Sequence, residues 1–236
     1  MFIVLVSYRA RGIQQFRREQ LAKSLQNFRQ YFELNKMDYK IVICEQNNHD
    51  KFNRGFLLNA AFIESERNFD FSKKYIHMNT DYNFNLSIAL PQEFLDLKQG
   101  FIDLHRPPYP VLGAACVFDS DSYKTINGFP NDLDGWGGDD WAIYNRIVRN
   151  NVNLMTPENI FNRGLIVEEN VRFALDSSNN DRNMRMANRN DDKFNGLNSI
   201  KYTVDGLGEF HDGVSVFHNL IGYSKFVPNG RFYFNS

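Results

Sequence analysis

The sequence predicts an α/β fold with a mainly parallel central sheet and helices on both faces. Three observations lead there. Strand-like and helix-like runs alternate through the first third of the chain. The first run, Met1 to Tyr8 (MFIVLVSY), is apolar at almost every position, as a strand covered on both sides must be. The helical stretches between the runs are long enough for right-handed crossovers between parallel strands.

Each element follows in order. Residues Gly12 to Phe32 carry Ile13, Phe16, Leu21, Leu25, Phe28 and Phe32 at spacings that share one helical face. Tyr39 to Cys44 (YKIVIC) reads as the second strand, Arg54 to Arg67 as the second helix and Tyr75 to Met78 as a short third strand. Val111 to Phe118 is apolar again, a helix starts near Asp119, and Asn127-Gly128 marks a turn. The glycine cluster GWGG at 135–138 leads into a helix ending near Arg149. Between Asn159 and Asn198 the periodicity loosens, with seven Asn from 179 to 198, so a long polar loop is expected there, a lid that orders on binding. Two late runs, Ser199 to Val204 and Gly213 to Phe217, are expected to close the domain as antiparallel strands. No repeat and no linker divides the chain, so one domain is expected over 1–236.

Composition narrows the partners. With 27 Lys and Arg against 28 Asp and Glu, the net charge of −1 lacks the basic excess of a general nucleic-acid binder. Cys44 and Cys116 sit inside apolar runs without a CxxC neighbour, which reads as two buried thiols in a reducing compartment, with one disulfide between them as the alternative, rather than a zinc site. No apolar stretch approaches the ~20 residues of a membrane span. Met1 to Val6 is too short for a signal-peptide core and is followed by Arg9 and Arg11. A soluble chain is expected, cytoplasmic rather than secreted.

Parallel sheets place ligands beyond the carboxyl ends of their strands. Three polar spots lie there: Ser7 to Arg11, Glu45 to Arg54 and Asn79 to Asn83. Arg9 and Arg11 bring guanidinium forks suited to phosphate, and Tyr8 a ring that stacks on a flat base; solvated surface arginines are the plain alternative. Asp81, in HMNTDYN at 77–83, suits a divalent metal bridging a diphosphate, although Asp also commonly ends strands in turns. GWGGDDW at 135–141 sets Trp136 beside Asp139 and Asp140. An indole next to carboxylates suits a sugar, whose apolar face stacks while a carboxylate takes a hydroxyl proton. The alternative is a capped helix with Trp136 in the core. His77, His105, His211 and His218 read individually as ordinary polar residues.

Taken in order, these stretches resemble the β-1,4-galactosyltransferase family, glycosyltransferase family 7, inverting nucleotide-sugar transferases of the Rossmann-like GT-A fold. SYRAR at 7–11 is similar to the family's Pro-Phe-Arg-x-Arg, and FNRGFLLN at 52–59 to its Phe-Asn-Arg-x-x-Leu-Leu-Asn. NTD at 79–81 falls where the family has Asp-Val-Asp. INGFPND at 126–132, GWGGDDWAIYNR at 135–146 and NGLNSIKYTV at 195–204 resemble its remaining signatures. The resemblance implies a nucleotide-binding half over about 1–85 and an acceptor and catalytic half over about 100–236. Tyr8, Arg9, Arg11, Phe52 and Arg54 would line the nucleotide pocket. Trp136, Gly137, Gly138 and Asp139 would bind substrate, Asp140 would be the catalytic base, and Asp81 would hold a divalent metal such as manganese. The implied partners are a UDP-sugar donor and a carbohydrate or glycoprotein acceptor.

The departures are specific. Asn79 replaces the first Asp of Asp-x-Asp, Ser7 replaces Pro, and Trp141 replaces a further acidic residue. The family's Met-x-x-His metal ligands have no counterpart across about 171–181, which holds no histidine, leaving His211 or His218 as candidates. Many relatives carry a membrane anchor and stem before this domain, whereas this chain begins at the first strand. A UDP- or glycan-binding pseudoenzyme and a different UDP-binding enzyme such as a nucleotidyltransferase are the competing expectations.

Overall fold

A computed structural model describes residues 1–9, 14–46, 50–69, 74–104, 112, 114–156, 164–168, 178–211, 214–219 and 230–234, with backbone alone for 14–16 and from 205 onward. The first strand β1 (Phe2–Tyr8) is followed by α1 (Gln14–Leu34), β2 (Tyr39–Gln46), α2 (Arg54–Asn68) and β3 (Lys74–Met78). β2 and β3 flank β1, both parallel to it, with Leu5 opposite Val42 on one side and His77 on the other. This is the alternation expected from the sequence.

The apolar run of β1 is explained by its two faces. Phe2, Val4, Val6 and Tyr8 join Leu21, Leu25, Phe28 and Phe32 of α1 in one core. Ile3 and Leu5 point the other way and meet Leu57, Leu58, Ala61 and Phe62 of α2. Alternate residues of a strand face opposite sides, so a strand between helices has no polar face to spare. Each such buried side chain contributes about 1.5–3 kcal/mol. The high aromatic content goes largely into these cores: Tyr31 stacks on Phe84 at 4.1 Å, and Tyr123 on Phe118 at 4.5 Å.

After β3 come β4 (Tyr82–Phe84), α3 (Gln92–Asp96), β5 (Phe101–Asp103), β6 (Ala115–Asp119), α4 (Ser120–Thr125), α5 (Asp139–Arg149), β7 (Leu154–Met155), β8 (Ile166–Glu168), α6 (Asn180–Ala187), β9 (Val204–His211), β10 (Val214–Asn219) and β11 (Gly230–Phe234). The main sheet runs β10-β9-β11-β2-β1-β3-β6-β5-β7, and β4 pairs with β8 separately. Six of its nine strands point the same way; β6, β9 and β11 run against them. Tyr123 of α4 and Ile143 and Ile147 of α5 pack on the α2 side, so helices cover both faces. Both cysteines are free and buried, as expected.

Two expectations change. The polar segment 159–198 is not a loop throughout, because β8 and α6 lie within it. Asparagine makes weak helix periodicity but good hydrogen bonds, and Asn183 is fully buried, donating from Nδ2 to the Asp134 carbonyl at 2.9 Å. Residues 178–198 therefore form a helix and turns in place of the continuous loop expected. The run Ser199 to Val204 is not a strand until Val204, where β9 begins; its first residues turn instead, with Ser199 N donating to Gly196 O at 3.1 Å. The second late strand is present as β10, antiparallel to β9. Among the described residues, no helix is long and apolar enough to cross a membrane.

Candidate active site

The crossover through α1 sends the chain to one side of β1, and the crossover through α2 sends it to the other. The carboxyl end of β1 is therefore a switch point, where a crevice opens in α/β sheets. Tyr8 and Arg9 stand there. The turn after β3 is fixed from behind by α1: Ser24 Oγ donates to Thr80 O at 2.7 Å, and Asn27 both donates to Phe84 O at 2.9 Å and accepts from Phe84 N at 2.7 Å. Those bonds hold Asp81 at the sheet's active edge.

Arg54 opens α2, whose N-cap Asn53 accepts from Phe56 N at 3.0 Å. From there Arg54 Nη2 donates to Asp139 Oδ2 at 2.8 Å and lies 3.8 Å from Asp140 Oδ1. Asp139 is buried, while the Asp140 side chain remains about a third exposed. Burial raises the Asp139 pKa to about 6; the Arg54 charge opposes that rise, and the neighbouring Asp140 adds to it. Burial also pushes the Asp81 carboxyl upward, against the pull of Arg17 and Arg54, and Glu168 contributes in the same upward direction. Under Arg54 lies His77, held neutral because burial and the arginine's charge push its pKa down to about 3. Asp139 Oδ1 and Arg54 Nε are buried without a hydrogen-bond partner among the described residues. Such atoms cost about 1–3 kcal/mol each and mark a place where polar ligands gain most.

The glycine cluster has a steric cause. Gly137 and Gly138 sit at φ +95° and +86°, and a side chain on either would collide with Asn180 or Asn183 of α6. The loop thus turns sharply against α6, aims Asp139 and Asp140 from the first turn of α5, and leaves Trp136 exposed. The core alternative for Trp136 is thereby set aside. Gly135 N donates to Phe52 O at 2.7 Å, tying this loop to the start of α2.

The other signature stretches interlock behind the site. Buried Asn59 donates to Phe129 O at 2.8 Å and Asn131 Oδ1 at 2.9 Å, and accepts from Tyr123 Oη at 2.8 Å and Phe129 N at 3.0 Å. Asn131 in turn donates from its backbone to Asn195 Oδ1 at 2.8 Å and from Nδ2 to Gly196 O at 2.8 Å. Fully buried Arg146 donates to Gly128 O at 2.8 Å and pairs with Asp191 at 3.1 Å. These residues build the frame that holds Arg54 and α5 in register.

The expected residues fall into three groups. Arg54, Asp139, Asp140 and, through its charge, Asp81 are brought together, with Trp136, Gly137 and Gly138 beside them. Tyr8 is buried in the α1-side core, Arg9 lies just past β1, and Phe52 is half-buried on the α2 side. Arg11 lies outside the described residues, as does most of 171–181. His211 ends β9 and His218 lies on β10, four and five strands from β3 in sheet order. At about 4.8 Å per strand, that order leaves roughly 20 Å between them and Asp81. Two residues near the site were given no role there from sequence: Glu168, which was not named, and His77, which read as an ordinary polar residue. Glu168 stands opposite Tyr82 across the β4–β8 ladder, a pairing without a local sequence signal. His77 carried the signal of its position at the end of β3.

Comparison with known proteins bears on the family and the fold. Residues 2–82 match the family model for the N-terminal region of glycosyl transferase group 7, and residues 102–169 match one described as the N-terminal domain of galactosyltransferase. Together they span more than half of the chain. β-1,4-Galactosyltransferase 1 of Mus musculus is 28% identical over 175 residues, 72% of this chain and 43% of that protein. β-1,4-Galactosyltransferase 2 of Homo sapiens is 29% identical over 180 residues, 72% of this chain and 47% of that protein. The chain thus spans less than half the length of these relatives. The catalytic domain of Drosophila β-1,4-galactosyltransferase 7 in complex with xylobiose superposes with a TM-score of 0.67 at 18% identity, covering 98% of this chain and 93% of that one. A mutant of the same enzyme in complex with manganese, UDP-Gal and xylobiose gives 0.66 at 17% identity, covering 99% and 93%. The fold is the GT-A α/β fold.

Proposed function

Because the chain belongs to glycosyltransferase family 7, the β-1,4-galactosyltransferase family, we propose that it moves a sugar from a UDP-sugar to a carbohydrate hydroxyl with inversion. The observation that carries the proposal is the disposition of two adjacent carboxylates around Arg54. Asp139 is buried against the guanidinium at 2.8 Å, whereas Asp140 sits 3.8 Å from it and keeps an open face. One carboxylate is thus buried in the frame, and the other stays about a third exposed to solvent.

In this reading Asp140 accepts the proton of the acceptor hydroxyl as that oxygen attacks the anomeric carbon. The bond from that carbon to the UDP oxygen breaks on the opposite face, which inverts the centre. Arg54 and Arg9 supply positive charge at the strand ends, where the diphosphate departs, and Trp136 offers its indole to a sugar face. Hard carboxylate oxygens with substrate phosphates are the usual donor set for a small divalent cation. Among the described residues no three ligating side chains gather, so Asp81, with Glu168 across the β4–β8 ladder, would hold such an ion only together with the donor's phosphates. A divalent cation held there would neutralise the leaving diphosphate, as manganese accompanies UDP-Gal in the Drosophila relative.

The deciding experiment pairs calorimetry with turnover. Wild type should bind UDP and a UDP-sugar, and Asp140→Asn should lose at least 100-fold in transfer while its UDP affinity stays within a few-fold. Full turnover by that variant would remove Asp140 from the role of base. UDP binding by wild type without transfer to any sugar acceptor would favour a nucleotide-binding pseudoenzyme.

A further inference from the structure

Both tryptophans of the chain are exposed, Trp136 to 47% and Trp141 to 39%, and they bracket Asp139 and Asp140. An open indole leaves a large apolar surface in water, so two of them around one carboxylate pair point to a partner that covers them. Trp136 belongs to the glycine-rich signature already assigned to substrate. Trp141 stands in the same signature where the family has an acidic residue, was assigned no role, and is not required by the transfer chemistry above.

Its surroundings are specific. Trp141 lies on the first turn of α5, directly after Asp140, and Tyr144 lies three residues on, on the same side of the helix. The two rings meet at 5.9 Å and 85°, while Tyr144 itself packs on the α2-side core. The tyrosine is therefore an anchored buttress, and its edge-to-face contact fixes the indole's orientation. At that angle the pair leaves an indole face uncovered. A flat face beside a carboxylate that takes a sugar hydroxyl's proton is suited to the next pyranose ring of the same glycan, whose C–H face stacks on it. Asp140 and Trp141 are consecutive on α5, so their side chains leave the helix about 100° apart. The indole flanks the carboxylate without facing it, a placement that suits a neighbouring ring of the glycan over the ring that loses its proton.

Building on the transfer reading, we infer that Trp141, held by Tyr144, binds the second sugar of the acceptor and makes the protein prefer a disaccharide end over a single sugar. Continuity with the acceptor site commits the platform to a glycan. A second copy of the chain lying along Trp141 and exposed Val148 is the rival occupant.

The test compares N-acetylglucosamine with its β-1,4-linked disaccharide, and xylose with xylobiose, as acceptors for wild type, Trp141→Ala and Trp141→Phe. Saturation-transfer NMR of the same sugars, in the presence of UDP and manganese, reads binding without turnover. Wild type should favour one disaccharide over its monosaccharide by roughly 10-fold in kcat/KM and in binding. Trp141→Ala should bring that ratio close to one, with Trp141→Phe in between and UDP affinity unchanged. A wild-type ratio of one, or an undiminished ratio in Trp141→Ala, overturns the inference. So does a wild-type dimer in sedimentation that Trp141→Ala dissociates. If no acceptor is turned over, the transfer reading fails, and NMR decides the platform alone: disaccharide signal lost in Trp141→Ala sustains it, and no disaccharide signal in wild type overturns it.

Discussion

Asp139 carries the sharpest single-residue consequence. Its pKa is raised to about 6 by burial, whereas an unfolded Asp titrates near 3.9. The folded protein therefore binds the extra proton between those values, and its stability falls as pH rises through that window. The size is about 3 kcal/mol. Asp139→Asn removes the titration and strands part of Arg54, so a constant offset is expected. Beyond that offset, urea denaturation should show the variant gaining about 3 kcal/mol on wild type between roughly pH 3 and pH 7. A pH-independent difference would mean that Asp139 is not held against its own ionisation. The neighbouring carboxylates were legible in the sequence as a pair, from their place after three glycines. Their division of labour was not, because it depends on Arg54 arriving from 85 residues away. Tyr8 shows the opposite limit: a ring at a strand end looks available until the α1 side closes over it.

At the scale of elements, α5 depends on a glycine it does not contain. Gly138 caps the helix at φ +86°, and a Cβ there would stand 2.7 Å from the Asn183 carbonyl oxygen. Gly138→Ala must bear about 1–2 kcal/mol for the left-handed backbone and must also push α6 away. A total loss of about 2–4 kcal/mol is expected, with hydrogen exchange speeding first in Asn180–Ala187. Unchanged exchange there would show that α6 does not rest on this loop. The early elements were readable because β1 and α1 carry strong periodicity. α6 was not, since its asparagines and arginines leave only a short apolar patch at Met186 and Ala187; side-chain bonds to Asp134 and Asp132 hold the rest. Likewise β4 and β8 pair across more than 80 residues, and strands of 3 residues leave no local pattern.

For the whole molecule, ligand binding should appear as global stabilisation. UDP at 100 times its Kd contributes about 2.7 kcal/mol, which for a chain of this size raises Tm by roughly 5–10 °C. Manganese should add to that rise in wild type, and Asp81→Ala should keep the UDP effect while losing the manganese increment. An equal increment in both proteins would take Asp81 out of metal binding. The global α/β architecture was legible because parallel strands buried on both faces announce themselves by composition. The return of β11 to lie against β2 was not, because that contact joins the end of the chain to its beginning. The asparagine frame sets a timetable as well as a shape. Asn131 receives its partner Gly196 only after 65 further residues have been made, which at 5–20 residues per second is roughly 3–13 s of translation. Through that interval the emerging polypeptide has its first three strands complete while the seat for Arg54 and α5 is still unlatched, so a ribosome-bound nascent chain acquires its parallel-strand scaffold well before the asparagine frame closes on it.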